Sequence, residues 1–162
     1  MSHAEPRMTA RSERPPGDPF DWFIRVPNRL EVVRSVRALV ASTCEAHGVD
    51  EEAMQEILLA ASEILNNSIE HVAGRGPGGY HEVDFQFGID GGSVVGRIVD
   101  EGEGGIGQGD FDAASAPSLD SDRGRGLFLI RAYVDELRVT PVAGVGTEIR
   151  FVKRVRSGGG NA

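Results

Sequence analysis

Three short segments constrain this chain most, because each demands its own local structure and the three must converge to be of use. The first, Glu63-Ile64-Leu65-Asn66-Asn67-Ser68-Ile69-Glu70-His71, lies in a stretch with helical spacing. The second, Asp100-Glu101-Gly102-Glu103-Gly104, ends a run of strand-forming residues. The third, Arg123-Gly124-Arg125-Gly126-Leu127, leads into an apolar helix. A carboxylate and an amide one helical turn apart suit a metal-bound phosphate. An Asp at a strand end before glycines suits the edge of a base, and glycines opening a helix suit phosphate oxygens. Together the three segments spell an ATP site without a Walker motif.

The rest of the chain supplies a scaffold for them. Residues 1–19, rich in Arg, Pro, Ser and Glu, are expected to form a disordered leader. Residues 20–156 are expected to form the folded domain, and residues 157–162 a flexible tail. Trp22-Phe23-Ile24-Arg25-Val26 predicts a short strand stopped by Pro27. Asn28 with Glu31 then has the form of a capping box. Apolar residues at Leu30, Val33, Val36, Leu39, Val40 and Cys44 predict a first helix ending near Gly48. Asp50 caps a second helix running to about Val72. Its apolar stripe is Met54, Ile57, Leu58, Ala61, Leu65, Ile69 and Val72, with Glu63, Asn67 and Glu70 on another face.

Strict alternation of Val83, Phe85, Phe87 and Ile89, then Asp90-Gly91-Gly92 and Ser93 to Asp100, predicts a β-hairpin. Glu101 to Asp122 has neither period and is expected to be a lid or a binding loop. A third helix over Gly126 to Val134 and strands over Leu137 to Val142 and Thr147 to Val155 complete the domain. Directly successive strands pair antiparallel. The expected class is therefore α+β: a two-layer α/β sandwich whose mixed, largely antiparallel sheet is covered by helices on one face.

Composition narrows the function. At 162 residues the chain has room for one domain with a substantial core. A net charge of -8 without a basic stripe argues against direct nucleic-acid binding. Cys44 is the single cysteine, which excludes an internal disulfide and fits a reducing compartment. No apolar run has the length of a membrane span and no signal peptide is visible, so no membrane association and a cytoplasmic location are expected.

Each motif has a plainer reading. Glu63 and Asn67 at i, i+4 also describe a solvated helix face, although two adjacent asparagines in mid-helix are poor helix formers. An amide oxygen suits hard Mg²⁺, and a carboxylate one turn earlier suits a base acting near a terminal phosphate. Asp100 also suits a turn after a strand, and Gly124 with Gly126 a helix start, where exposed N–H groups and Arg123 and Arg125 would also hold phosphate. Gly102 to Gly107 matches the dinucleotide string G-x-G-x-x-G, but Gln108 to Asp122 shows no helical pattern to follow it, so a Rossmann site is rejected. A P-loop is excluded because Lys153, the single lysine, follows Val152. The four histidines have no metal-ligand spacing, and Ser68 has no triad partners.

In order, with Gly146-Thr147 as a fourth box, these segments resemble the Bergerat ATP-binding fold of the histidine-kinase-like ATPases. The compact length and Gly124-Arg125-Gly126-Leu127-Phe128-Leu129-Ile130 most resemble the anti-sigma factor serine/threonine kinases. The resemblance covers residues 22–154. It implies that Asn67 binds Mg²⁺ and that Glu63 is the base for a substrate hydroxyl. Asp100 would read adenine, with Thr147 helping through a water, and Gly102 and Gly104 would shape the base pocket. Arg123, Gly124, Arg125, Gly126 and Leu127 would line the phosphate side. It further implies a STAS-domain anti-anti-sigma protein and a sigma factor as partners, and a homodimer. The resulting expectation is an ATP-dependent kinase acting in partner switching. The alternatives are a non-catalytic ATP-binding switch module, and a structural domain whose glycine loops are only loops.

Overall fold

The computed structural model describes residues 17–72, 81–102, 107–113, 125–142 and 146–156. The elements are β1 (Trp22–Pro27), α1 (Val32–Ala46), α2 (Glu51–Val72), β2 (Glu82–Asp90), β3 (Ser93–Asp100), α3 (Gln108–Asp112), α4 (Arg125–Tyr133), β4 (Glu136–Val142) and β5 (Gly146–Arg154). The five strands form one sheet in the order β1-β2-β3-β5-β4. Every neighbouring pair is antiparallel, so the sheet is wholly antiparallel rather than mixed. The fold is the α+β sandwich expected.

Period-two patterning places Val83, Phe85, Phe87 and Ile89 of β2 and Val94 and Ile98 of β3 on the helix-covered face. Ile149 and Phe151 of β5 join them beneath Val36, Val40, Ile57, Ile64, Leu65 and Ile69 of the two long helices. The opposite face carries cross-strand charge pairs such as Arg25 with Asp84 and Arg97 with Glu148. Trp22 stacks on Phe87 and donates its indole N–H to Thr43 Oγ1 at 2.8 Å, fastening β1 to α1. The β2–β3 turn needs Gly91 (φ 55°) and Gly92 (φ 78°), the two positive φ values of a type I′ hairpin. Cys44 is fully buried, and burial pushes its thiol up to about 11, which leaves it unreactive at neutral pH.

Two local expectations are corrected. The Asn28–Glu31 capping box does not form. Asn28 Oδ1 instead accepts the His81 N–H at 3.1 Å, and Glu31, the N-cap of α1, makes no side-chain cap bond. Asp50 does cap α2, accepting the Ala53 N–H at 3.0 Å. The stretch after Gly107 also contains a helix, the single-turn α3, where none was expected. Asp110 Oδ2 holds the Gly107 N–H, and the Gln108 amide bonds the edge strand, accepting from Val139 N at 2.8 Å. A Rossmann site stays excluded for a better reason: β3 and β5 are antiparallel neighbours, so no parallel βαβ crossover exists among the described residues.

Lys153 fastens three elements together. On β5 and 13% exposed, its ammonium meets Glu56 of α2 at 2.5 Å and donates to the Tyr133 carbonyl at the end of α4 at 2.9 Å. A cation at a helix C-terminus is favourable there, and loss of one partner strands a half-buried carboxylate. Lys153→Met is expected to lower unfolding free energy by about 2 kcal/mol. Urea titration of the variant checks this.

Candidate functional site

Helix α2 carries the first box along the sheet. Glu63 and Asn67 are half-buried on one helix face, while Glu70, next in that series, is exposed. The side chain of His71 lies outside the described residues, as do Gly104, Arg123 and Gly124. The face bearing Glu63 meets α4. A Cβ placed on Gly126 would come within 2.5 Å of Glu63 Oε2. Gly126 therefore leaves room for the carboxylate against the first turn of α4, where helix N–H groups are unsatisfied by the helix itself. Arg125, the first residue of α4, is exposed, and Leu127 is half-buried against the core.

The second box ends the central strand. Asp100 is 4% exposed and lies opposite Thr147 across β3–β5, both on the helix-covered face. Its Oδ1 accepts the Gly102 N–H at 3.0 Å, so the plainer turn-forming role holds for one carboxylate oxygen. Gly146 passes so close to this turn that a Cβ would overlap the Asp100 carbonyl oxygen, and its φ of 147° is one that glycine alone tolerates well. The turn is braced from outside: His81 Nδ1 lies 3.3 Å from Glu101 Oε2, between Asp100 and Gly102 in sequence.

A profile of the histidine kinase-like ATPase domain matches residues 26–153. The chain belongs to that family. It is 26% identical over 132 residues to the serine-protein kinase RsbW of Bacillus subtilis, covering 75% of this chain and 79% of the relative. It is 27% identical over 133 residues to the RsbW of Oceanobacillus iheyensis, covering 78% and 83%. A solved structure of the RsbU and RsbW domains of a Mycobacterium tuberculosis protein superposes with a TM-score of 0.54 at 22% identity. That likeness covers 82% of this chain but 32% of the longer one, and it concerns the fold.

For a histidine kinase-like ATPase domain the donor set is apt. The Asn67 amide and the Glu63 carboxylate offer hard oxygens one turn apart, of the kind Mg²⁺ takes, and Gly126 leaves room for the carboxylate. No cluster of three or more His, Cys, Asp or Glu among the described residues forms a metal cage. A groove of about 510 Å³ lies elsewhere, at the far end of α4, bordered by Phe111, Arg131, Leu137, Arg138 and Arg150. It contains none of the box residues.

Three features of this region were not assigned from sequence. The His81–Glu101 pair joins residues with no shared motif. The steric demand at Gly146 had one signal, a glycine directly before the fourth-box Thr147. The third, Ser68, sits inside the first box, where the sequence showed only that it has no triad partners.

Proposed function

We propose that this histidine kinase-like ATPase domain is an ATP-dependent protein-serine/threonine kinase. Its substrate is a STAS-domain anti-anti-sigma antagonist, and it acts as an anti-sigma factor in a partner-switching system. One observation carries the reading: the Glu63 carboxylate lies against Gly126 at the first turn of α4, one helical turn from Asn67. A carboxylate there can accept the proton of an attacking serine or threonine hydroxyl. Asp100 accepts from the exocyclic amine of adenine, with Thr147 beside it and Gly102 keeping the backbone close. Gly126, Arg125 and Leu127 serve the phosphate side in this reading, which also assigns phosphate contacts to Arg123 and Gly124 and a base contact to Gly104, all three outside the described residues. Bound at Asn67, Mg²⁺ supplies charge neutralisation of the phosphates. The name of the two bacterial relatives, serine-protein kinase, supports the same chemistry.

Calorimetric titration of ATP with and without Mg²⁺ tests the site. The wild type is expected to bind ATP in a Mg²⁺-dependent manner. Asp100→Ala, which removes a charged hydrogen-bond acceptor, is expected to weaken binding by about 100-fold. Absence of binding at millimolar ATP would overturn the reading. ATP binding without phosphate transfer to a STAS protein would replace the kinase with a switch module.

A further inference from the structure

The described core holds three buried polar side chains, Ser62, Ser68 and Asp100. Two are satisfied within the fold. Ser62 Oγ donates to the Leu58 carbonyl at 2.5 Å and accepts from Arg37 at 2.6 Å, while Asp100 accepts the Gly102 N–H. Ser68 is 1% exposed, and its Oγ has no hydrogen-bond partner among the described residues. A buried hydroxyl left unpaired loses its hydrogen bonds to water and gains none in return, which is destabilising. Alanine at this position would avoid that cost and favour the helix as well.

The register of α2 on the sheet says where this hydroxyl lies. Glu56 is fixed at the level of Lys153, which pairs with Val94 at the start of β3. Because α2 stays buried from Ile57 to Ile69, it runs along β3 in the strand's own direction rather than off the end of the sheet. From Glu56 to Ser68 the helix rises about 18 Å, and from Val94 to Asp100 the strand advances about 20 Å. Ser68 therefore arrives at the level of Asp100. On the helix it lies about 100° from Asn67, turned from the α4 side toward the sheet.

We propose that Ser68 is a base-contacting residue of the nucleotide site: its unpartnered hydroxyl, level with Asp100, completes the hydrogen-bond set around the adenine edge. The inference rests on the ATP site proposed above. It divides that site along α2, with Glu63 and Asn67 serving the phosphate side and Ser68 the base side. The unpaired hydroxyl is a cost in the free protein that is relieved on binding.

The test compares Ser68→Ala, Ser68→Thr and wild type, as full-length chains, in two measurements. Thermal unfolding without nucleotide is expected to show Ser68→Ala at least as stable as wild type. Calorimetric titration with Mg²⁺–ATP is expected to show affinity reduced about 10-fold in Ser68→Ala, with partial recovery in Ser68→Thr. Opposite signs in the two readouts distinguish a ligand-directed hydroxyl from a structural one. Ser68→Ala affinity within twofold of wild type, while Asp100→Ala loses binding, would overturn this proposal and leave the ATP site standing. A destabilised Ser68→Ala with unchanged affinity would also overturn it, by assigning the hydroxyl a structural partner. A wild type that does not bind ATP would overturn both.

Discussion

Gly146→Ala is expected to cost this protein about 3 kcal/mol or more, a large share of the 5–15 kcal/mol typical of a domain. Two effects add at one atom. The φ of 147° is strained for any residue with a Cβ, and that Cβ would occupy the place of the Asp100 carbonyl oxygen. The turn cannot yield cheaply, because Asp100 is paired with Thr147 in the ladder and bonded to Gly102. Relief requires β3 and β5 to part where Asp100 and Thr147 share a face. Thermal unfolding is therefore expected to show a midpoint lower by about 10 °C. Nucleotide affinity should fall with it, since Asp100 is displaced by the same movement. A midpoint within about 2 °C of wild type would show that the turn is softer than the structure indicates.

Glu63→Gln is expected to have the larger effect on chemistry and little on anything else. The amide keeps the size of the carboxylate, so the fit against Gly126 survives, but it cannot take a proton. Loss of a positioned base lowers phosphoryl transfer by about 10²–10⁴-fold. ATP affinity should stay within a few-fold, because the proposed adenine contact at Asp100 is untouched. Single-turnover transfer to a STAS-domain substrate, alongside ATP titration of the same variant, separates the two quantities. Transfer at an undiminished rate would remove Glu63 from the role of base. Equal losses in binding and transfer would instead make it a ligand-holding group.

Much of the fold was legible because its signals are local and repeated. Alternation in β2 needs nothing beyond a buried face and an exposed one. Asp90-Gly91-Gly92-Ser93 names its turn because both central residues need positive φ. The cap at Asp50 formed as expected, whereas the one at Asn28 did not. The difference is competition: a distant backbone donor, His81 N–H, uses the Asn28 oxygen that a capping box requires. Helix α3 escaped notice because five residues are too few to show a period. It is held by Asp110 at its start and by Gln108 reaching the edge of β4, a partner far away in sequence.

By itself, the sequence determined the type of every element but α3 and the one-sided covering of the sheet, and it named the candidate residues for the proposed chemistry. These follow from side-chain periodicity and from what each group can donate, accept or coordinate. Tertiary structure alone decided which groups meet. It set Glu63 against Gly126, gave Gly146 no room for a Cβ beside Asp100, and left the buried Ser68 hydroxyl without a partner among the described residues. Such facts depend on how α2 slides along β3 and how closely β5 passes the strand end. Those offsets are set by packing between residues far apart in the chain, the Lys153–Glu56 pair among them, and no local pattern encodes them.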